Sequence, residues 1–252
     1  MTAYPRGTRL CGASSLTSTG AEGVLVWTGR TVPTGQAVPV IYAHGLLGFA
    51  STPAYRSSEA AGDDFAPIGG WGHPVLVPDL GGPATWGNDT ALAAFDAAVT
   101  WAGTALGCRT DKVVVAGESM GGLLGLNWAW RNPDKVAALW LRVPCVALEV
   151  THDTDGGFTG TIDAAYGGHA GYLAALDGHD PMRNTGLLRR FADRARIWHA
   201  TDDEFFPPAE IRAFARATGI PATEIPGTHA AGYDTPPLEV AGWLARTIRR
   251  NS

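Results

Sequence analysis

Apolar positions along the chain fall into two alternating patterns. Short unbroken runs, rich in β-branched residues, occupy Val38–Ala43, Pro74–Pro78, Lys112–Ala116 and Val136–Val143. Such runs suit strands buried on both faces. Gly23–Trp27 reads as an early strand in an antiparallel hairpin with the N-terminal segment. Arg196 begins a strand that ends in the acidic loop at Asp202-Asp203, and Ala222–His229 holds a last short strand. Between these runs apolar residues step by three and four, the helical period. Leu92, Phe95, Val99, Ala102 and Leu106 do so behind a cap at Asn88 or Asp89. Leu123, Leu124, Leu126, Trp128, Ala129 and Trp130 make a segment apolar on most sides, suited to a helix pressed on a sheet. Further helices are expected in part of Pro53–Phe65, after Pro207-Pro208, and over Pro237–Arg249 with Leu238, Ala241, Leu244 and Ile248 on one face. Strands alternating with helices predict an α/β fold, a mostly parallel sheet covered on both sides. No repeat or linker divides the chain, so residues 1–252 read as one domain.

The stretch Leu148–Arg189 breaks the rhythm. It is rich in Gly, Asp and His and lacks sustained periodicity, with short helices expected near Ile162–Ala165 and Tyr172–Leu176. Asp153-Thr154-Asp155-Gly156 resembles half of a calcium loop, but the later ligands are missing, so no metal is expected there.

Composition narrows the function class. Apolar residues make up 45% and charged residues 17%, which excludes extensive disorder. A net charge of −5 and the absence of a basic stripe argue against nucleic acid as a partner. The arginine clusters at 189–190, 194–196 and 246–250 read as solvated helix faces. No apolar run reaches the length of a membrane span, and Met1–Gly20 lacks the hydrophobic stretch of a secretory signal, so the default location is cytoplasmic. Cys11, Cys108 and Cys145 have no metal-ligand spacing. They read as buried or free thiols, and a Cys11–Cys108 pairing is left open.

The chemistry concentrates at Gly117-Glu118-Ser119-Met120-Gly121. This G-x-S-x-G run lies between a strand-like and a helix-like segment, where a sharp turn holds a serine hydroxyl above the sheet edge. The bland alternative is a glycine-rich turn whose serine caps the helix. Two other segments favour chemistry. Upstream, an apolar strand runs into His44-Gly45-Leu46-Leu47-Gly48-Phe49, where Gly45 permits close approach. The N–H groups of Leu46 and Met120 are the expected oxyanion donors, and His44 reads as a loop anchor. Downstream, the order Ser119, Asp203, His229 is the nucleophile, acid, base order of this strand-turn-helix architecture, and His229 is the one histidine after the acidic loop.

On these residues the chain resembles the α/β-hydrolase family. The resemblance implies Ser119 as nucleophile, His229 as base, and an acid in the Asp202-Asp203 pair. The family's spacing to a following proline selects Asp203 through Pro207, with Asp202 second and Glu149 third. It also implies that Leu148–Arg189 is a small partial cap, inserted in the domain at 148–189, and that Asp79 ties its own loop together. The His-Gly-Leu-Leu-Gly-Phe run is similar to the oxyanion loop of bacterial lipases, although Glu118 stands where those lipases usually carry histidine. Expected activity is hydrolysis of a small or lipid-like carboxylic ester, with no cofactor. Phe49, Trp71, Trp86, Phe205 and Phe206 are pocket candidates. A lipase or peptidase, or a non-catalytic component of an assembly, is the alternative on the same fold. Pro144–Leu148, Ala164–Gly168 and His179–Pro181 look similar to esterase-like proteins of actinobacterial phages, which implies a virion-associated or secreted location instead.

Overall fold

The computed structural model describes residues 8–12, 24–28, 35–46, 65, 68, 71–154, 157–233, 235 and 237–251. Eight strands form one sheet: β1 (Thr8–Gly12), β2 (Val24–Thr28), β3 (Val40–Ala43), β4 (Val75–Pro78), β5 (Val113–Glu118), β6 (Val136–Arg142), β7 (Ala195–Ala200) and β8 (Ala222–Ile225). Their order across the sheet is β1-β2-β4-β3-β5-β6-β7-β8. β2 runs antiparallel to both of its neighbours, and the six strands from β4 to β8 are all parallel. The expected hairpin at the N-terminal edge and the expected parallel sheet are both present.

The parallel strands are buried because helices cover both faces. Side chains of β5 alternate: Val113 and Val115 join one core, Val114 and Ala116 the other. The first core packs against α1 (Asp89–Leu106), α2 (Met120–Arg131) and a later helix carrying Ile211 and Phe214. The second packs against α8 (Pro237–Asn251) through Val240, Ala241, Trp243, Leu244 and Ile248. Leu238, expected on that buried face, is 56% exposed. It sits on the first turn of α8, where the helix has only just begun. Asn88 caps α1 by accepting the Ala91 N–H, and Gly107 closes the helix in the left-handed conformation at φ 65°. The proposed helix within Pro53–Phe65 lies outside the described residues, apart from Phe65 itself.

Residues 148–191 are more helical than their weak periodicity suggests. α3 (Leu148–Asp153), α4 (Thr159–Ala165), α5 (His169–His179) and α6 (Thr185–Leu188) follow one another, with 3₁₀ turns on either side of α6, before α7 (Pro208–Thr218) resumes the α/β alternation. The short helices expected near Ile162–Ala165 and Tyr172–Leu176 are present as α4 and α5; α4 buries Ile162, and α5 buries Tyr172, Leu176 and His179 on one face. Ile162, Tyr172 and Leu176 join Trp86, Met120, Leu123 and Phe206 in a third core, beneath these short helices. No described helix is long and apolar enough to cross a membrane. Cys108 and Cys145 are free, buried thiols; the side chain of Cys11 lies outside the described residues.

Candidate active site

The parallel strands end at one edge of the sheet, where open α/β sheets place their ligand crevices, and the loops leaving that edge carry Ser119, Asp203 and His229. Ser119 follows β5, Asp203 follows β7, and His229 opens a 3₁₀ turn (His229–Tyr233) after β8. Ser119 has φ 54° and ψ −124°, a backbone conformation that a residue with a side chain adopts only under strain. Its surroundings enforce that turn. A Cβ on Gly117 would lie 2.5 Å from the Gly121 carbonyl oxygen, and one on Gly121 would collide with the carbonyl of Ala43. The glycines of the motif are therefore fixed by close backbone approach. Ser119 makes no side-chain cap on α2, which sets aside the helix-cap reading.

His229 bridges the other two residues. Its Nδ1 is 2.8 Å from Asp203 Oδ2, and its Nε2 is 3.2 Å from Ser119 Oγ. Asp203 Oδ1 accepts the N–H groups of Phe205 and Phe206 at 3.0 and 2.9 Å. Two backbone donors thus leave Oδ2 for the imidazole and hold the carboxyl in place. The main-chain N–H of His229 donates to Glu204 Oε2 at 2.9 Å, which fixes the turn bearing the ring. All three side chains are buried. The other acid candidates point elsewhere: Asp202 Oδ2 accepts the Thr201 hydroxyl, and Glu149 pairs with Arg183 at 2.9 Å.

Leu46 and Met120 flank the serine. A Cβ on Gly45 would lie 3.3 Å from Ser119 Cβ, so the turn leading into Leu46 passes directly beside Ser119. Met120 is the first residue of α2, where helix N–H groups lack intrahelical acceptors and the helix dipole favours negative charge. His44 lies between the carbonyls of Gly45 and Asp79, its two ring nitrogens 2.9 and 3.3 Å from them. It is a loop anchor, and the Asp79 carbonyl also closes a turn with the Gly82 N–H.

A buried polar cluster absent from the sequence reading lies under these loops. Glu118 Oε1 accepts the Gly45 N–H at 3.2 Å, and Glu118 Oε2 pairs with Arg142 at 3.1 Å. The Tyr42 hydroxyl bonds both Glu118 and Arg142. Arg142 also donates to the Tyr233 carbonyl at 3.1 Å. One ion pair thus joins the turn before Leu46, the serine elbow and the turn bearing His229. Tyr233 was also missed: its hydroxyl lies 3.0 Å from His229 Nε2, and burial pushes its pKa up, so it stays protonated.

The pocket candidates separate. Phe205 is partly exposed and sets its ring edge-on to His229 at 5.1 Å. Phe206 packs at 5.3 Å on the same imidazole but belongs to the core under the cap. Trp86 is wholly buried there, its indole N–H donating to Thr161 and its carbonyl accepting from Tyr166. Phe158, unmarked in the sequence reading, joins Trp86 at 5.2 Å to Phe205 at 5.6 Å. Trp71 stands beside Gly242 of α8. Phe49 lies outside the described residues.

Comparison with solved structures returns the same fold. Est1E from Butyrivibrio proteoclasticus is 18% identical with a TM-score of 0.67, over 97% of this chain and 98% of that one. Carboxyl esterase 2 from the mycorrhizal fungus Tuber melanosporum is 17% identical with a TM-score of 0.64, over 99% and 88%. An S-formylglutathione hydrolase from Agrobacterium tumefaciens is 15% identical with a TM-score of 0.61, over 100% and 96%. Comparison with curated protein sequences gives no match. The profile of the alpha/beta hydrolase fold family matches residues 38–168, just over half of the 252. With that match and the parallel sheet, the chain belongs to the α/β-hydrolase fold family.

Proposed function

We propose that the protein is a serine hydrolase of carboxylic esters, acting through an acyl-enzyme. The observation that carries this reading is the imidazole of His229, bonded at one nitrogen to a fixed carboxylate and at the other to the strained Ser119. A serine hydroxyl is a weak nucleophile until a neighbouring base takes its proton. In this reading Ser119 Oγ attacks the acyl carbon while its proton passes to His229 Nε2. Asp203 keeps the other proton on Nδ1 and stabilises the imidazolium. Charge developing on the former carbonyl oxygen meets the N–H groups of Leu46 and Met120, each contributing about 3 kcal/mol in comparable sites. Collapse expels the alkoxide, which takes the proton from Nε2. Water then repeats the cycle and releases the acid.

Phe205, edge-on to His229, with Phe158 packed against it, suits an apolar group on the substrate. Each methylene buried there is worth roughly 0.8 kcal/mol. The likeness to carboxyl esterase 2 of Tuber melanosporum points the same way. The test is hydrolysis of an acyl-chain series of nitrophenyl esters by the protein and by Ser119→Ala. Turnover by the protein and none by the variant is the expected result. Equal activity would remove the reading, and no activity in either would leave a non-catalytic binding role on the same fold.

A further inference from the structure

The cap carries a second cluster of chemically competent side chains. His152, Asp163 and His169 come from α3, α4 and α5, and their donor atoms lie within 4.8 Å of one another. Asp163 Oδ1 is 3.1 Å from His152 Nε2 and 3.3 Å from His169 Nδ1. Two ligands bound tetrahedrally at the usual zinc distances stand about 3.3 Å apart, so these separations match neighbouring vertices of a zinc site.

His152 supplies a second, independent argument. Its ring is buried and stacks on Tyr172 at 4.0 Å and 13°. Its Nδ1 faces Asp153 Oδ1 at 2.7 Å while its Nε2 faces Asp163. A neutral imidazole carries one N–H and cannot donate to two carboxylates. With its N–H given to Asp153, the ring turns the Nε2 lone pair toward Asp163, an arrangement that a cation between the two would bridge. Metal-bound histidines characteristically give their far N–H to a carboxylate, which is the relation of His152 to Asp153.

We infer that His152 Nε2, Asp163 Oδ1 and His169 Nδ1 form a binding site for a zinc-class divalent ion, with a fourth position open to water. Two imidazoles and one carboxylate suit zinc; calcium requires six or more oxygens. The broken calcium loop at Asp153 takes part only through its first aspartate, as the outer partner. Binding uses the ring lone pairs, and the displaced protons pass to solvent. The ion would tie α3 and α5 to α4, which itself holds the body of the molecule: Thr161 accepts from Trp86, the Ala165 carbonyl accepts from Asn88, and the hydroxyl of Tyr166, just past α4, donates to the Trp86 carbonyl. The site shares no residue with the proposed ester chemistry, so either can fail without the other.

The test uses tag-free full-length protein stripped with a chelator and titrated with zinc chloride, read by calorimetry and by thermal unfolding. One zinc per chain, proton release and a higher unfolding temperature are expected, with no such shift from calcium chloride. His169→Ala alters the exposed first residue of α5 and Asp163→Asn keeps the side-chain shape, so both are expected to fold, as circular dichroism would check. Each should weaken zinc binding by more than about tenfold, the loss that removing even an outer partner can cause. No saturable zinc uptake by the wild type, or unchanged affinity in both variants, would overturn the site. Preference for calcium would overturn the donor assignment.

Discussion

Removing Glu118 should damage stability and catalysis by separable amounts. The residue is 7% exposed and its partner Arg142 5%. Deleting one member of a buried ion pair costs about 3–5 kcal/mol, because the other charge is left in the interior. Arg142 keeps the Tyr42 hydroxyl and the Tyr233 carbonyl, which places Glu118→Ala toward the lower end on that account. The alanine variant also orphans the Gly45 N–H, which adds about 1–3 kcal/mol. Glu118→Gln keeps an oxygen where Gly45 needs an acceptor and turns a charged hydrogen bond to Arg142 into a neutral one, for about 1.5–3 kcal/mol. The two therefore differ at the turn that presents Leu46. With that turn released, the alanine variant loses one oxyanion donor, roughly a hundredfold in kcat. The glutamine variant should lose less than about tenfold. Urea unfolding gives the stability arm and steady-state hydrolysis of a soluble ester the catalytic arm. If a marginal alanine variant does not fold, the glutamine variant still carries the test. Wild-type kcat in a folded Glu118→Ala, or a loss below about 1 kcal/mol in both variants, would refute the coupling.

The remaining predictions address other parts of the molecule. Asp203→Asn should cost about ten-thousand-fold in kcat, the loss seen when the orienting acid of a related triad is neutralised, while Asp202→Asn should leave kcat near wild type; comparable losses would show that both acids matter. Burial pushes the thiol of Cys145 up to about 12 and that of Cys108 up to about 11. Thiolate, the reactive form, is then scarce at mildly alkaline pH, so peptide mapping after a disulfide reagent should find both unmodified until urea is added; fast labelling of either in the native protein would contradict their burial. The cap is tied down through Trp86 and Asn88. Rate against concentration for one ester should accordingly saturate smoothly through its solubility limit, and a sharp rise at that limit would indicate a cap that opens on a lipid surface.

Local signals made much of this site legible. The strained turn at Ser119 requires glycines at fixed offsets, and His229 is the sole histidine after the acidic loop, so both can be found without knowledge of contacts. Spacing to Pro207 favoured Asp203, and the structure supplies the reason: the following Phe205 and Phe206 N–H groups orient its carboxyl. Long-range partners could not be found this way. Arg142 reaches Tyr42 across 100 positions, and no periodicity encodes that pairing. Trp86 read as a loop aromatic free to line a pocket. It is instead the buried centre of the cap contact, held by Thr161 and Tyr166, two residues in the segment with the weakest pattern. The short helices expected near Ile162–Ala165 and Tyr172–Leu176 are α4 and α5, whose buried side chains are few: Ile162 alone in one, and Tyr172, Leu176 and His179 in the other.

The most direct test of the catalytic assignment is covalent labelling by a serine-directed phosphonate ester, located by peptide mass spectrometry. The predicted result is one adduct per chain, on Ser119, formed much more slowly in His229→Ala and Asp203→Asn because the hydroxyl then lacks its base or the base its tautomer. An adduct on another serine, or equal labelling rates in all three proteins, would contradict the account.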